Sequence, residues 1–226
     1  MLNKQAISFP DPEEFDEHGL VAVGGDLSPS RILEAYRSGI FPWYEAGQPI
    51  LWWSPDPRMI LFPNSFKLSR SLKKTLNKSF RFTVDTAFSS VIYACATTSE
   101  RIGHTWITPD MMNAYNKLHA LGYAHSFEVW QGTKLVGGLY GLSLGGVFFG
   151  ESMFHKVRDA SKLAFYYLSE LLKTWHFNFI DCQLPTNHLC SLGAQIISRH
   201  DYLILLKQSL KKPSRVGNWE NPTSDE

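Results

Sequence analysis

Residues 177–184 read F-N-F-I-D-C-Q-L, an apolar run that ends in a carboxylate and an amide. Strand side chains alternate faces, so Asp181 and Gln183 are expected on one face and Cys182 on the other. A third polar group, Glu151, stands in V-F-F-G-E-S-M-F, again within strand-like apolar sequence and without a basic neighbour. A buried carboxylate without partners is costly, so each acid needs either a partner or a task. At this level a structural hydrogen-bond network and a reactive site account for the three residues equally well.

Other chemistries find little support. The eight histidines show no metal spacing, since His119 and His125 would straddle a helix end and a strand. Neither G-x-S-x-G nor a P-loop is present. G-G-L-Y-G is not a dinucleotide fingerprint, and its glycines fit close strand packing or a backbone approached by ligand. Tryptophans are more often core than platform. Trp106, however, stands in G-H-T-W-I-T-P just before a helix cap, and Trp43 in an irregular segment. Both settings suit a rim on which a base could stack.

The elements that must position these residues follow from punctuation and period. Ser28-Pro29 ahead of R-I-L-E-A-Y-R-S and Gly39 marks one helix, and Thr108-Pro109 with Gly122 marks another. The Pro- and Trp-rich stretch between them, up to residue 66, reads as ordered but irregular. A basic helix over 67–79, a strand near 80–84 and a helix through 87–96 follow. From residue 125 come three strands, a helix over 159–175, a strand over 177–183, a short helix over 186–192 and a final strand within 196–206. The expected class is α+β, a mixed sheet flanked by helices with a smaller N-terminal α/β domain. The expected division is 1–65 and 66–226, with the boundary between 60 and 85.

The chain has 226 residues, 44% of them hydrophobic, enough for a sizeable core. Three cysteines, an odd number without paired spacing, read as buried thiols in a reducing cytosol. The start lacks the apolar centre of a signal peptide, and no run approaches about 18 apolar residues, so no membrane partner is expected. The net charge is +1, but residues 1–45 hold eight acids against three bases, whereas residues 57–84 hold seven bases and no acid. A solvated helix face is the ordinary reading of such a block; a track for a polyanion is the alternative.

Taken together, the motifs resemble the leucyl/phenylalanyl-tRNA–protein transferase family of the bacterial N-end rule pathway. The resemblance is carried by F-P-D-P (9–12), G-L-V-A-V-G-G-D-L-S-P (19–29), A-Y-R-S-G-I-F-P-W (35–43) and I-L-W-W-S-P-D-P-R (50–58). It continues through T-W-I-T (105–108), G-Y-A-H-S-F-E-V-W (122–130), L-V-G-G-L-Y-G (135–141) and F-F-G-E-S-M-F (148–154). A-S-K (160–162), D-C-Q (181–183) and S-L-G-A (191–194) complete it, in order over nearly the whole chain.

The resemblance implies an acetyltransferase-like C-terminal part that moves Leu or Phe, with Met as a third candidate, from aminoacyl-tRNA to proteins beginning with Lys or Arg. It implies no cofactor, ATP or metal. Gln183 would accept a hydrogen bond from the incoming amine, Asp181 would polarise and orient that amide, and Glu151 would position the reacting groups. Trp43, Trp106 and Tyr115 would surround the terminal adenosine, with the base stacked on Trp106. Leu139, Met153, Phe165, Leu168, Leu172 and Ile180 would form the amino-acid pocket. Lys67, Arg70, Lys73, Lys74, Lys78 and Arg81 become a candidate track for tRNA phosphates. The rival on the same fold is an acetyl-CoA-dependent N-acetyltransferase. Its pyrophosphate loop has no counterpart in H-K-V-R-D-A-S-K at the start of the long helix. A non-catalytic tRNA-binding module would have no use for the apolar pocket or the Asp181–Gln183 pair.

Overall fold

In a computed structural model, residues 8–76, 79–98 and 105–220 are described. The first strands are short: β1 (Leu20–Val23), β2 (Phe41–Pro42) and β3 (Leu51–Trp53) make a small antiparallel sheet in the order β1-β3-β2. Helix α1 (Pro29–Arg37) starts on Pro29 and ends beside Gly39, as its punctuation predicts.

The large sheet has seven strands. They are β4 (Arg58–Leu61), β5 (Arg81–Val84), β6 (Ala124–Gln131), β7 (Lys134–Leu144), β8 (Val147–His155), β9 (Phe179–Gln183) and β10 (Gln195–Ile197). Their order is β10-β4-β9-β8-β7-β6-β5. Every pair is antiparallel except β8 and β9. That parallel pair needs a crossover, supplied by α5 (Ala160–Thr174). The remaining helices are α2 (Arg70–Leu76), α3 (Phe88–Ala96), α4 (Pro109–Ala120), α6 (Asn187–Ser191) and α7 (Arg199–Ser209). Among the described residues no helix is long and apolar enough to cross a membrane.

The central strands read as continuous apolar runs because both faces of the sheet are buried. Tyr140, Phe149 and Phe179 join α1, α3, α4 and α7 in one core; Leu139, Phe148 and Ile180 join α5 in a second. The glycines of β7 serve close packing: a Cβ on Gly137 would lie 2.5 Å from Ala160 Cβ, and one on Gly141 would lie 2.2 Å from the Phe149 carbonyl oxygen.

Two expectations change. The stretch read as irregular contains β2, β3 and β4, strands of two to four residues that are too short to show a period. Of these, β4 is an interior strand of the large sheet, between β9 and β10. The final strand is only Gln195–Ile197, and most of 196–206 is helix α7. Ser198 caps that helix by accepting from the Asp201 N–H, so a capping signal outweighed the strand-like run L-I-L-L.

Candidate active site

The polar residues gather where the parallel pair β8–β9 comes apart. β8 and β9 are paired at Val147 with Phe179, Phe148 with Ile180 and Phe149 with Asp181, and then diverge. Each strand carries an irregularity just past that point. On β8, Tyr140 faces Ser152 and Gly141 faces Gly150, which leaves Glu151 as the extra residue of a bulge. On β9, Met59 faces Gln183 and Ile60 faces Asp181, which leaves Cys182 extra. Bulges re-aim side chains, and here they turn Glu151 and Gln183 toward one another across the opening. Gln183 Nε2 donates to Glu151 Oε1 at 2.9 Å.

Asp181 is fully buried, and all its bonds are accepted ones. Arg58 donates to both carboxylate oxygens, Nε to Oδ1 at 3.0 Å and Nη2 to Oδ2 at 2.7 Å. The Tyr202 hydroxyl donates to Oδ2 at 2.8 Å, and the backbone N–H of Gln183 to Oδ1 at 2.8 Å. Arg58 is itself buried between the rings of Phe41 and Tyr202. Burial works against its charge, but Asp181 and Tyr202 together hold its pKa above the ordinary value. Asp181 therefore bonds the backbone of Gln183; the side-chain amide is held by Glu151. The expected polarisation of the amide by Asp181 is replaced by an anchor for the backbone, because the bulge at Cys182 interrupts simple alternation. Gln183 has φ of +61°, a left-handed conformation that costs a non-glycine residue about 1–3 kcal/mol. The bond to Asp181 holds it there.

Glu151 closes a hydrogen-bond triangle. The Tyr36 hydroxyl donates to Oε1 at 2.5 Å, that of Tyr115 donates to Oε2 at 3.0 Å, and the two hydroxyls lie 2.6 Å apart. Three contacts need three protons and two phenols supply two, so a proton on the carboxyl group would complete the set. Burial pushes the Glu151 pKa up to about 7, against the lowering effect of Tyr36 and Tyr115; the charge of Asp181 adds to the rise. Burial and the Glu151 charge raise both tyrosines well above their usual value. Glu151 thus lies near the midpoint of its titration at neutral pH. When it is ionised it can only accept, so the Gln183 nitrogen must face it and the carbonyl oxygen must point away.

Beside this pair lies an apolar cavity of about 110 Å³. Leu139, Met153, Phe165, Leu168 and Ile180 line it, together with Gly150, Glu151, Cys182 and Leu189. Leu172 is the exception: it is fully buried in the core of α5 and does not reach the cavity. Cys182, expected in the core on the face opposite Asp181, shares the cavity with Ile180 two residues before it, and burial raises its thiol pKa.

The other expected residues divide. Tyr115 is fully buried, and its hydroxyl, not an exposed ring face, serves the site through Glu151. Trp43 is 43% exposed, with its ring 6.1 Å from that of Trp53. Trp106 is partly buried against the first core. Neither tryptophan lines the cavity. Lys67, Arg70, Lys73, Lys74 and Arg81 are exposed, and Arg81 lies over the Trp130 ring at 4.9 Å. Lys78 lies outside the described residues. Arg58, which contributes to the basic run in sequence, is buried and belongs to the site.

Arg58, Tyr36, Tyr202, Cys182 and Leu189 were not legible as site residues. Only Cys182 carried a signal, since Ile180 and Cys182 have the same parity.

Residues 60–207 match the family model of leucyl/phenylalanyl-tRNA protein transferase, and residues 25–56 match the model of its N-terminal domain. A leucyl/phenylalanyl-tRNA–protein transferase of Legionella pneumophila (strain Corby) is 62% identical over 94% of this chain and 96% of that one. Its counterpart in Syntrophus aciditrophicus is 54% identical over 95% and 91%. Among solved structures, an aminoglycoside acetyltransferase from an uncultured soil metagenomic sample has a TM-score of 0.37 at 11% identity, covering 65% of this chain and all of that one. The strand order, not that loose likeness, carries the description of the fold. With its family model matched across the large sheet, the chain belongs to the leucyl/phenylalanyl-tRNA–protein transferase family, an aminoacyltransferase family.

Proposed function

We propose that the gap between β8 and β9 is where the α-amino group of a protein attacks the ester of an aminoacyl-tRNA. The aminoacyl group is leucine or phenylalanine, with methionine as a third candidate. The acceptor begins with Lys or Arg, and its tagging serves N-end rule degradation in the cytoplasm. The ester arrives already activated, so the protein must position an unprotonated amine and guide its proton, without ATP or metal. The observation that carries this reading is the apolar cavity opening directly beside the Glu151–Gln183 bridge.

Each residue then has a task. The amino-acid side chain enters the cavity between Leu139, Met153, Phe165, Leu168 and Ile180. Gln183 Oε1, turned outward by Glu151, accepts from the attacking amine and aligns its lone pair on the carbonyl carbon. An amide is a poor base, so the proton passes to the departing ribose 3′ oxygen within the substrate. Asp181 fixes the Gln183 backbone, and Tyr36 and Tyr115 fix Glu151. Trp43 and Trp106 provide the aromatic rim for the terminal adenosine, and Lys67, Arg70, Lys73, Lys74, Lys78 and Arg81 follow the tRNA phosphates.

The test combines the protein with tRNA charged with labelled Leu or Phe and a peptide beginning with Arg. Label is expected on the peptide without ATP or added metal. Absence of transfer to every Lys- or Arg-initiated peptide would sink the reading.

A further inference from the structure

Four glycines lie within the strands of the large sheet, and neighbouring atoms account for three of them. A Cβ would lie 2.5 Å from Ala160 Cβ at Gly137, 2.8 Å from the Phe127 carbonyl oxygen at Gly138 and 2.2 Å from the Phe149 carbonyl oxygen at Gly141. Gly150 is different. Apart from its chain neighbours, the one atom within 4 Å of a Cβ there would be the Asp181 carbonyl oxygen, at an ordinary contact distance of 3.5 Å. Its φ lies outside the left-handed region. Among the described glycines, Gly150 alone has neither a positive φ nor a neighbour within 3.0 Å of such a Cβ. Glycine weakens a strand interior, and one that the protein's own packing does not require marks a backbone that a ligand approaches closely.

We infer that Gly150 is a specificity-determining residue: its missing side chain leaves room for the side chain of the aminoacyl group where that group enters the cavity. The inference rests on the aminoacyl-tRNA reading above. Position is the first reason. Gly150 lines the cavity, follows the last paired residue of β8 before the gap and precedes Glu151. A group whose carbonyl lies at the Glu151–Gln183 bridge and whose side chain fills the cavity passes directly over it. Direction is the second reason. By alternation the missing side chain shares a face with Phe148. The Phe148 ring lies over Gly141, which is opposite Gly150 in the β7–β8 pair, and leaves the space at Gly150 clear. The third reason is chemical. That face is the apolar one against α5, whereas Tyr36, Tyr115 and Tyr202 pack in the core on the other face. Beyond Glu151 the cavity wall holds no carboxylate for the side chain of an acceptor beginning with Lys or Arg, so the space suits the apolar group of the donor.

The experiment compares Gly150→Ala with the unaltered protein on tRNA charged with leucine, phenylalanine or the shorter, unbranched 2-aminobutyrate. A methyl group on extended backbone, at an ordinary contact distance, should leave the thermal melt unchanged or raise it. Binding of uncharged tRNA should not move. The kcat/KM for leucyl- and phenylalanyl-tRNA should fall by about 10–200-fold, the effect of one misplaced carbon in an apolar pocket. The 2-aminobutyryl donor leaves room for the added methyl, so the preference for leucine over 2-aminobutyrate should drop by about tenfold or more. Undiminished transfer of leucine would overturn the inference, since nothing would then approach Gly150. Equal losses on all three donors, with or without a lowered melt, would also overturn it, because the methyl would then act on the reacting carbonyl or on the fold. If the unaltered protein transfers from no donor, the underlying functional reading fails and takes the inference with it, a result that needs no variant to recognise.

Discussion

Replacing Asp181 with alanine should damage stability and catalysis for different reasons, and the two can be separated. The first loss follows from Arg58, which is 0% exposed and would keep its charge while losing both bonds to carboxylate. What remains to it is the Gly39 carbonyl at 3.2 Å, the Tyr202 hydroxyl at 3.4 Å and two aromatic faces. Removing one partner of a buried pair costs about 3–5 kcal/mol. A domain of this size has about 5–15 kcal/mol in total and loses about 2–4 °C of Tm per kcal/mol, so the melt should fall by about 6–20 °C. The second loss follows from the N–H of Gln183, which would have no acceptor to hold its left-handed backbone.

The double variant Arg58→Met/Asp181→Leu distinguishes the two effects. With both charges gone, most of the stability should return, since well-packed apolar pairs commonly equal or exceed buried ion pairs. Transfer should remain lost, because leucine at 181 cannot accept from Gln183. The assay is a thermal melt of each variant together with single-turnover transfer from leucyl-tRNA, run well below the lowest Tm. If the double variant regains activity along with stability, Asp181 is a counter-ion and nothing more. A D181A protein that melts like the unaltered one would refute the burial reasoning itself.

Further predictions address Glu151 and the cavity. The pKa of Glu151 is raised when folded, so the stability it contributes is fully present below about pH 4.3 and is lost as pH rises through about 7; Glu151→Gln should remove that dependence. Transfer should rise as the carboxylate forms near pH 7 and again as the amine deprotonates at about 7.7–8.0; Glu151→Gln should erase the first rise, and an unchanged profile would refute the assignment. The cavity of about 110 Å³ is smaller than the roughly 150 Å³ that accommodates benzene, so Leu189→Ala should shift preference from Leu toward Phe by about tenfold or more in competition assays. Leu172→Ala, away from the cavity, should cost about 2–5 kcal/mol in a melt and leave that ratio unchanged; a shifted ratio would return Leu172 to the pocket.

The regular parts of the molecule were legible because burial enforces their period. Helices with Ser-Pro or Thr-Pro starts and Gly stops, and strands of eight or more residues, lie close to where spacing places them. Short strands were not legible, since β2 to β4 are too short to show a period and β4 depends on partners far along the chain. Asp181, Gln183 and Glu151 could be singled out because each is a polar group in apolar surroundings. Their connections could not be read, because Arg58 is 123 residues from Asp181 and Tyr36 is 115 from Glu151. Register was the deeper obstacle. Alternation is a rule for unbroken strands, and both strands of the site are broken at the residue that matters.

Those breaks also account for a buried ion pair that stability alone would not favour. Two regular parallel strands would stay hydrogen-bonded along their length and leave no gap for a reacting carbonyl. Here β8 and β9 part after Phe149 and Asp181, and the side chains of Glu151 and Gln183 span the opening instead. Holding Gln183 there requires a left-handed backbone whose N–H must be satisfied by an acceptor of fixed position. A carboxylate clamped by Arg58 and Tyr202 is such an acceptor, because three donors from outside β9 fix both its oxygens. An apolar pair in its place would pack at least as well but could not accept that bond. Under the proposed reaction Arg58 would serve catalysis only through its partner, since its guanidinium lies sealed between Phe41 and Tyr202.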